Sequence, residues 1–146
     1  MPLFTKPTEQ TQYILDKITT GMVPSTFKAG YYGDQELIPG FPAFCVESND
    51  FDRELSGKAS SHKFALILRT HIIIYHEKLQ PSQVTLKQDE QLAEAVQDYL
   101  HTDLTLAGGV IFGYVERVRP GIIVKPGRIM LRATRLEFAG ISQQYF

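Results

Sequence analysis

The side chains able to do chemistry in this chain are four histidines, one cysteine, a short run of acids and a small group of basic residues. His62, His71, His76 and His101 are the candidates for metal binding or acid–base work. On an extended strand His71 and His76 have opposite parity and point to opposite faces, so they make a poor pair for one ion. Cys45 sits in no nucleophile motif and reads as a small buried strand residue. Asp50, Asp52 and Glu54 carry charge enough for a cation, but they lack the glycine turn and distal glutamate of a calcium loop. Gly108-Gly109 is followed by neither a lysine nor a helix, so it reads as a tight turn rather than a phosphate cradle. Tyr31 and Tyr32 suit ligand stacking, but tyrosines in a core or interface are commoner. No acids, bases and nucleophiles converge as an enzyme requires. The expectation is therefore no catalytic residue, no metal and no cofactor.

The elements that position these residues follow from apolar spacing. Residues 1–7 read as an arm, because Pro2 and Pro7 oppose regular structure. A first helix starts near Thr5 or Thr8 with Glu9 in its first turn, turns Ile14, Ile18 and Met22 inward, and stops at Gly21 and Pro24. Residues Phe27 to Ile38 are ambiguous between strand and turn, and Ala43 to Val46 begins a strand. Ser48 to Ser61 mixes both charge signs with Gly and Ser, and reads as a hairpin tip or a mobile loop.

Lys63 to Tyr75 is an unusual strand. Phe64, Leu66, Leu68, Ile72 and Ile74 share one face, broken by Thr70. Ala65, Ile67, Arg69, His71, Ile73 and Tyr75 share the other. A strand apolar on both faces is covered on both, by helices or by another subunit. Arg69 and His71 are costly in a dry core, so they mark where the cover ends or an interface begins.

A second helix runs from a capping box of Thr85 and Gln88 to about Leu100, with Leu92, Val96, Tyr99 and Leu100 inward and Glu90, Glu94 and Asp98 outward. The LAGGV turn, Leu106 to Val110, leads into another strand. In PGIIVKPG, Pro120 to Gly127, two Pro-Gly pairs suit type II turns around a short apolar piece, Ile122 to Val124. The final strand, Arg128 to Ile141, changes parity near Thr134, which predicts a bulge or bend.

With 146 residues, the chain reads as one domain, 1–146, large enough to fold without metal or disulfide. A net charge of −1 argues against a basic nucleic-acid binder. The longest apolar run is too short and too polar to span a membrane, and the N-terminus has no hydrophobic signal region. The expected fold is α/β of the α+β type: a mixed, mostly antiparallel sheet packed by two helices, with a long loop or hairpin.

The order of elements carries more than any single residue. An N-terminal helix is followed by a loop with GDQ, Gly33–Gln35, and PGFPAFCVE, Pro39–Glu47. Then come a polar excursion, a long apolar strand, a helix, the LAGGV turn and two strands joined by a short hairpin. This order, from about Gln12 to Phe138, resembles the tail-terminator or tail-completion proteins of long-tailed bacteriophages. The resemblance implies a virion protein at the head–tail junction, made in the host cytoplasm, that assembles as a six-membered ring on the tail tube. Its implied partners are copies of itself, the tube protein, a neck or head-completion protein and, in a contractile tail, the sheath. Head-closure and neck proteins share parts of the pattern, and a small ligand-binding domain is the alternative of another class.

A ring needs two different patches on each subunit. The candidates are Asp50, Asp52, Arg53, Glu54 and Lys58 in the polar loop, Arg69 and His71 on the long strand, and Arg119, Ile122, Ile123, Val124, Lys125 and Arg128 at the hairpin. The hairpin tip is expected to dock on the tube end or an adjacent subunit, the alternative being an edge strand folded back on its own core.

Overall fold

The structure is a computed structural model that describes residues 2–55, 63–78 and 83–145. The elements in chain order are α1 (Pro7–Met22), β1 (Ala29–Tyr32), β2 (Ala43–Leu55), β3 (Lys63–Lys78), α2 (Gln83–Leu100), β4 (Phe112–Lys125) and β5 (Ile129–Tyr145). The strands form one sheet of order β1-β2-β3-β5-β4. Only the β1–β2 pair is parallel, and the other pairs are antiparallel. The fold is thus α+β, with a mixed, mostly antiparallel and unclosed sheet.

Both helices lie on one face of that sheet. Ile14, Ile18 and Met22 of α1, with Ala93, Val96 and Leu100 of α2, meet Leu66, Leu68, Ile72 and Ile74 of β3 and Leu136 and Phe138 of β5. The inward stripe predicted for α2 is the one observed. Thr70, the break in the apolar face of β3, has a reason. It is fully buried and bonds Gln10 Nε2 at 3.1 Å and Thr11 Oγ1 at 3.0 Å. These bonds partner Gln10 Nε2 and Thr11 Oγ1 in the core, while Gln10 Oε1 has no hydrogen-bond partner among the described residues.

The other face of β3 is covered at one end only. The loop after β1 folds over it, so that Ile38 joins Ala43, Cys45, Ile73, Tyr75, Leu131 and Ala133 in a second cluster. Beyond that cluster the sheet has no second layer among the described residues. The expectation of cover on both faces is half met, and Arg69 and His71 sit where the cover ends.

Several local expectations are corrected. The arm is docked, not reaching outward: Phe4 is buried and its N–H donates to the Gly109 carbonyl at 2.7 Å. A Cβ on Gly109 would lie 2.3 Å from the Phe4 ring, which explains one glycine of the LAGGV turn. Helix α1 begins at Pro7 behind Lys6, whose N–H donates to Glu9 Oε1 at 3.1 Å. Gly21 lies inside α1 against Tyr99 rather than ending it. Thr85 is inside α2, which starts at Gln83, so it is not the cap.

The polar stretch from Ser48 is strand as far as Leu55, because β2 continues past a register break between Ser48 and Phe51. The rest of the predicted loop, 56–61, lies outside the described residues, as does His62. Pro120-Gly121 makes no turn. It runs within β4, where an edge strand tolerates the missing N–H. Only Pro126-Gly127 turns the chain, with positive φ at Gly127 and Arg128. The parity change in β5 is not a bulge of β5, whose pairing with β3 is unbroken from Ala133 to Tyr145. The cover switches instead: Leu131 and Ala133 face the second cluster, and Leu136 and Phe138 face the helices. The irregularity falls on β3, between Tyr75 and Glu77.

Candidate interaction surface

The uncovered part of the sheet gathers charged residues into one band. Glu137 on β5 is its hub. Its carboxylate lies 3.7 Å from His71 Nε2, 3.9 Å from Arg117 Nε and 4.0 Å from Arg119 Nε. Glu47 on β2 approaches His71 Nδ1 at 3.8 Å, and Arg69 approaches Glu116 at 3.7 Å. The cross-strand register makes these neighbours, since His71 pairs with both Glu47 and Glu137. Asn49, at the β2 register break, places its Nδ2 2.8 Å from His71 Nε2. An amide nitrogen only donates, so Nε2 accepts and the proton is assigned to Nδ1, facing Glu47. Burial and the charge of Arg135 hold the imidazole below its ordinary pKa against the pull of Glu137 and Glu47.

Beside this band lies an apolar patch. Phe112 is 43% and Tyr114 37% exposed, and their rings are 5.8 Å apart. Phe112 pairs with Ile141, itself exposed, and Ile141 pairs with Ile67. On the helix side, the end of β4 borders a cavity beside α2. There Ile122 is 56% and Val124 62% exposed, with Met130 exposed beside Val124. β4 is an edge strand of fourteen residues, so its exposed groups are available to a neighbour along its whole length.

The predicted interface residues therefore separate. Arg69, His71 and Arg119 come together on the open face. Ile122 and Val124 are exposed on the helix side. Ile123, on the opposite face, packs against the second cluster, so at this position the hairpin folds back on its own core. Lys125 is not a docking residue: it is buried, pairs with Asp34 and lies 5.1 Å from the centre of the Tyr75 ring. Arg128 is exposed in the turn. Asp50, Asp52, Arg53 and Glu54 lie on β2, but their side chains, and Lys58 altogether, fall outside the described residues.

The remaining candidates for chemistry are tied into structure. Cys45 Sγ is 3.3 Å from the Tyr75 hydroxyl, and burial pushes its thiol up to about 11. The Tyr75 hydroxyl donates to Asp34. Asp34 sits below its usual pKa although burial raises it, because Lys125 and Tyr75 both hydrogen-bond its carboxylate. His101 Nε2 accepts the Val115 N–H at 3.0 Å. His76 and His71 lie on opposite faces: His76 is under α2, 2.7 Å from Thr134 Oγ1 and 3.5 Å from Asp89.

Sequence reasoning missed the partners: Glu47, Glu137 and Arg135 on the open face, and Asp89 and Arg132 around His76. The only signal for Arg135 and Glu137 was their alternation with the core residues Leu136 and Phe138 on β5; which residues of β2 and β3 they meet is set by the register. No family model matches the chain, and no curated protein matches it.

Proposed function

We propose that this chain is a structural virion protein that caps the tail tube as a ring, stops tube growth and joins the tail to the head or neck. The reading assigns it no reaction and no cofactor. One observation supports it most: a long edge strand, β4, carries exposed apolar side chains on both of its faces. A free monomer gains nothing from such a surface, whereas a subunit packed between neighbours and a tube does. The order of elements that resembles tail terminators supplies the role. The partners are further copies, the tube protein and a neck or head-completion protein, with the sheath added in a contractile tail.

The test adds purified protein to polymerising tube protein and images tube ends by electron microscopy. Capped ends and a fixed tube length are expected. Bare ends with continued growth would overturn the reading, and binding to head connectors instead would move the protein to the head-closure position. A second reading, a small ligand-binding domain, draws on a cavity of about 330 Å³ beside α2. It holds buried His76, whose Nδ1 has no hydrogen-bond partner among the described residues. Saturable stabilisation of the free protein by a small metabolite would favour it.

A further inference from the structure

On the open face, Arg119 of β4 stands directly opposite Arg135 of β5. Like charges directly opposite destabilise a sheet. Arg119 is partly compensated by Glu137 at 4.0 Å. Arg135 is exposed and makes no ion pair among the described residues. The two arginines wall a depression of about 180 Å³ whose other lining includes Ile73, Ile123, Ala133 and Gly121. An apolar floor between two guanidinium groups fits a carboxylate on a short aliphatic stem, and an arginine pair can grip one by charge-assisted hydrogen bonds.

The same chain offers such carboxylates on its opposite side. Glu90, Glu94 and Asp98 are exposed on α2, and Lys87 is the one basic residue of that helix. Their spacing of four sets them in a row about 12 Å long. The acidic row and the arginine pocket lie on opposite layers of the subunit, and so are two different patches of the kind a head-to-tail contact joins.

Resting on the ring reading, we propose that the Arg119–Arg135 pocket is the socket for the acidic face of α2 of a second copy, with Glu94 entering between the two arginines. The contact relieves the like-charge pair and joins the helix layer of one subunit to the open sheet of the next.

A charge-reversal exchange followed by sedimentation velocity tests this. Wild type should self-associate at low salt and dissociate as salt screens the contact. Arg135→Glu sets glutamate against glutamate, Glu94→Lys sets lysine against arginine, and each variant alone should associate roughly tenfold more weakly or worse. An equimolar mixture should recover association, because the unchanged acidic helix of Arg135→Glu then meets the intact arginine pair of Glu94→Lys. Both sites are exposed, and Arg135→Glu places a carboxylate opposite Arg119, so melting temperatures should hold. A monomeric wild type, variants that associate normally, or a mixture that fails to recover would each overturn the contact. A monomeric wild type that still caps tube ends would overturn it while leaving the capping role intact. Self-association without end binding would do the reverse.

Discussion

Lys125 gives the most direct check on how the hairpin is held. Its side chain is 7% exposed, while that of its partner Asp34 is 48% exposed. The two halves of this ion pair are therefore not equivalent. Asp34→Ala leaves the Lys125 ammonium buried beside the Tyr75 ring without the carboxylate it pairs with. Breaking a buried pair by removing one partner costs about 3–5 kcal/mol, and a lysine stem that swings toward water reduces this to about 2–4 kcal/mol. Lys125→Met removes the charge, keeps an aliphatic chain against Tyr75, and leaves Asp34 to be rehydrated. That change should cost about 0–1 kcal/mol.

The double variant should resemble Lys125→Met alone, because no buried charge remains. At about 2–4 °C per kcal/mol for a domain of this size, Asp34→Ala should melt roughly 5–15 °C below wild type, and the other two within a few degrees of it. Thermal unfolding and urea midpoints measure this directly. Equal losses from the two single variants would refute the reasoning, since they would mean that the cost lies in the pair and not in the stranded ammonium. Lys125→Met should also leave tube capping unchanged, in contrast to a lysine that docks.

Val124→Asp should change stability by less than about 0.5 kcal/mol, as for an ordinary surface site, yet abolish capping of tube ends by electron microscopy; normal capping would remove the hairpin from the interface. For His76, burial and then the charge of Arg132 lower the pKa from 6.5 to about 4. The unfolded chain then binds the extra proton first, so His76 contributes its stability in full above pH 6.5 and loses it as the pH falls toward 4. Up to about 3 kcal/mol is at stake. Urea midpoints at several pH values should show a slope across that window that His76→Asn flattens. Cys45 should resist thiol reagents at pH 8 in the native state and react only as the protein unfolds, and rapid native labelling would contradict its burial.

The fold was legible where one physical signal dominated. The stripes of α1 and α2 and the helix-side face of β3 are periodic patterns that tertiary packing did not override. The errors fall where two signals compete. Pro120-Gly121 has turn chemistry, but it occupies an edge strand, where proline loses no ladder bond. Ser48 to Leu55 has loop composition, yet its backbone pairs with β3 past the register break. Leu131, Ala133, Leu136 and Phe138 suggested a bulge because the pattern records which face is covered, and the cover itself changes along β5. The site was legible as single residues and not as a constellation. Arg69 and His71 stood out because charge is costly in an apolar strand. Their partners Glu47 and Glu137 come from other strands, and only the register brings them together. Lys125 was misread because its partner, Asp34, is remote in sequence and reaches it through the loop after β1.

The same register bears on how a neighbour can approach β4. An unbroken edge strand invites any strand to pair with it, which leads to open polymers rather than closed rings. β4 is interrupted twice: by the register break between Val115 and Arg117, and by Pro120, which has no N–H to offer. The lengths left between these points are too short to template a long added strand. What β4 presents along its full length is side chains: Phe112, Tyr114, Arg117 and Arg119 on one face, Ile122 and Val124 on the other. Contacts made through those faces are set by charge and shape, and so can fix the angle between subunits. An arginine pocket matched to an acidic helix on the opposite layer supplies such an angle, and a fixed angle is what lets a head-to-tail contact close into a ring.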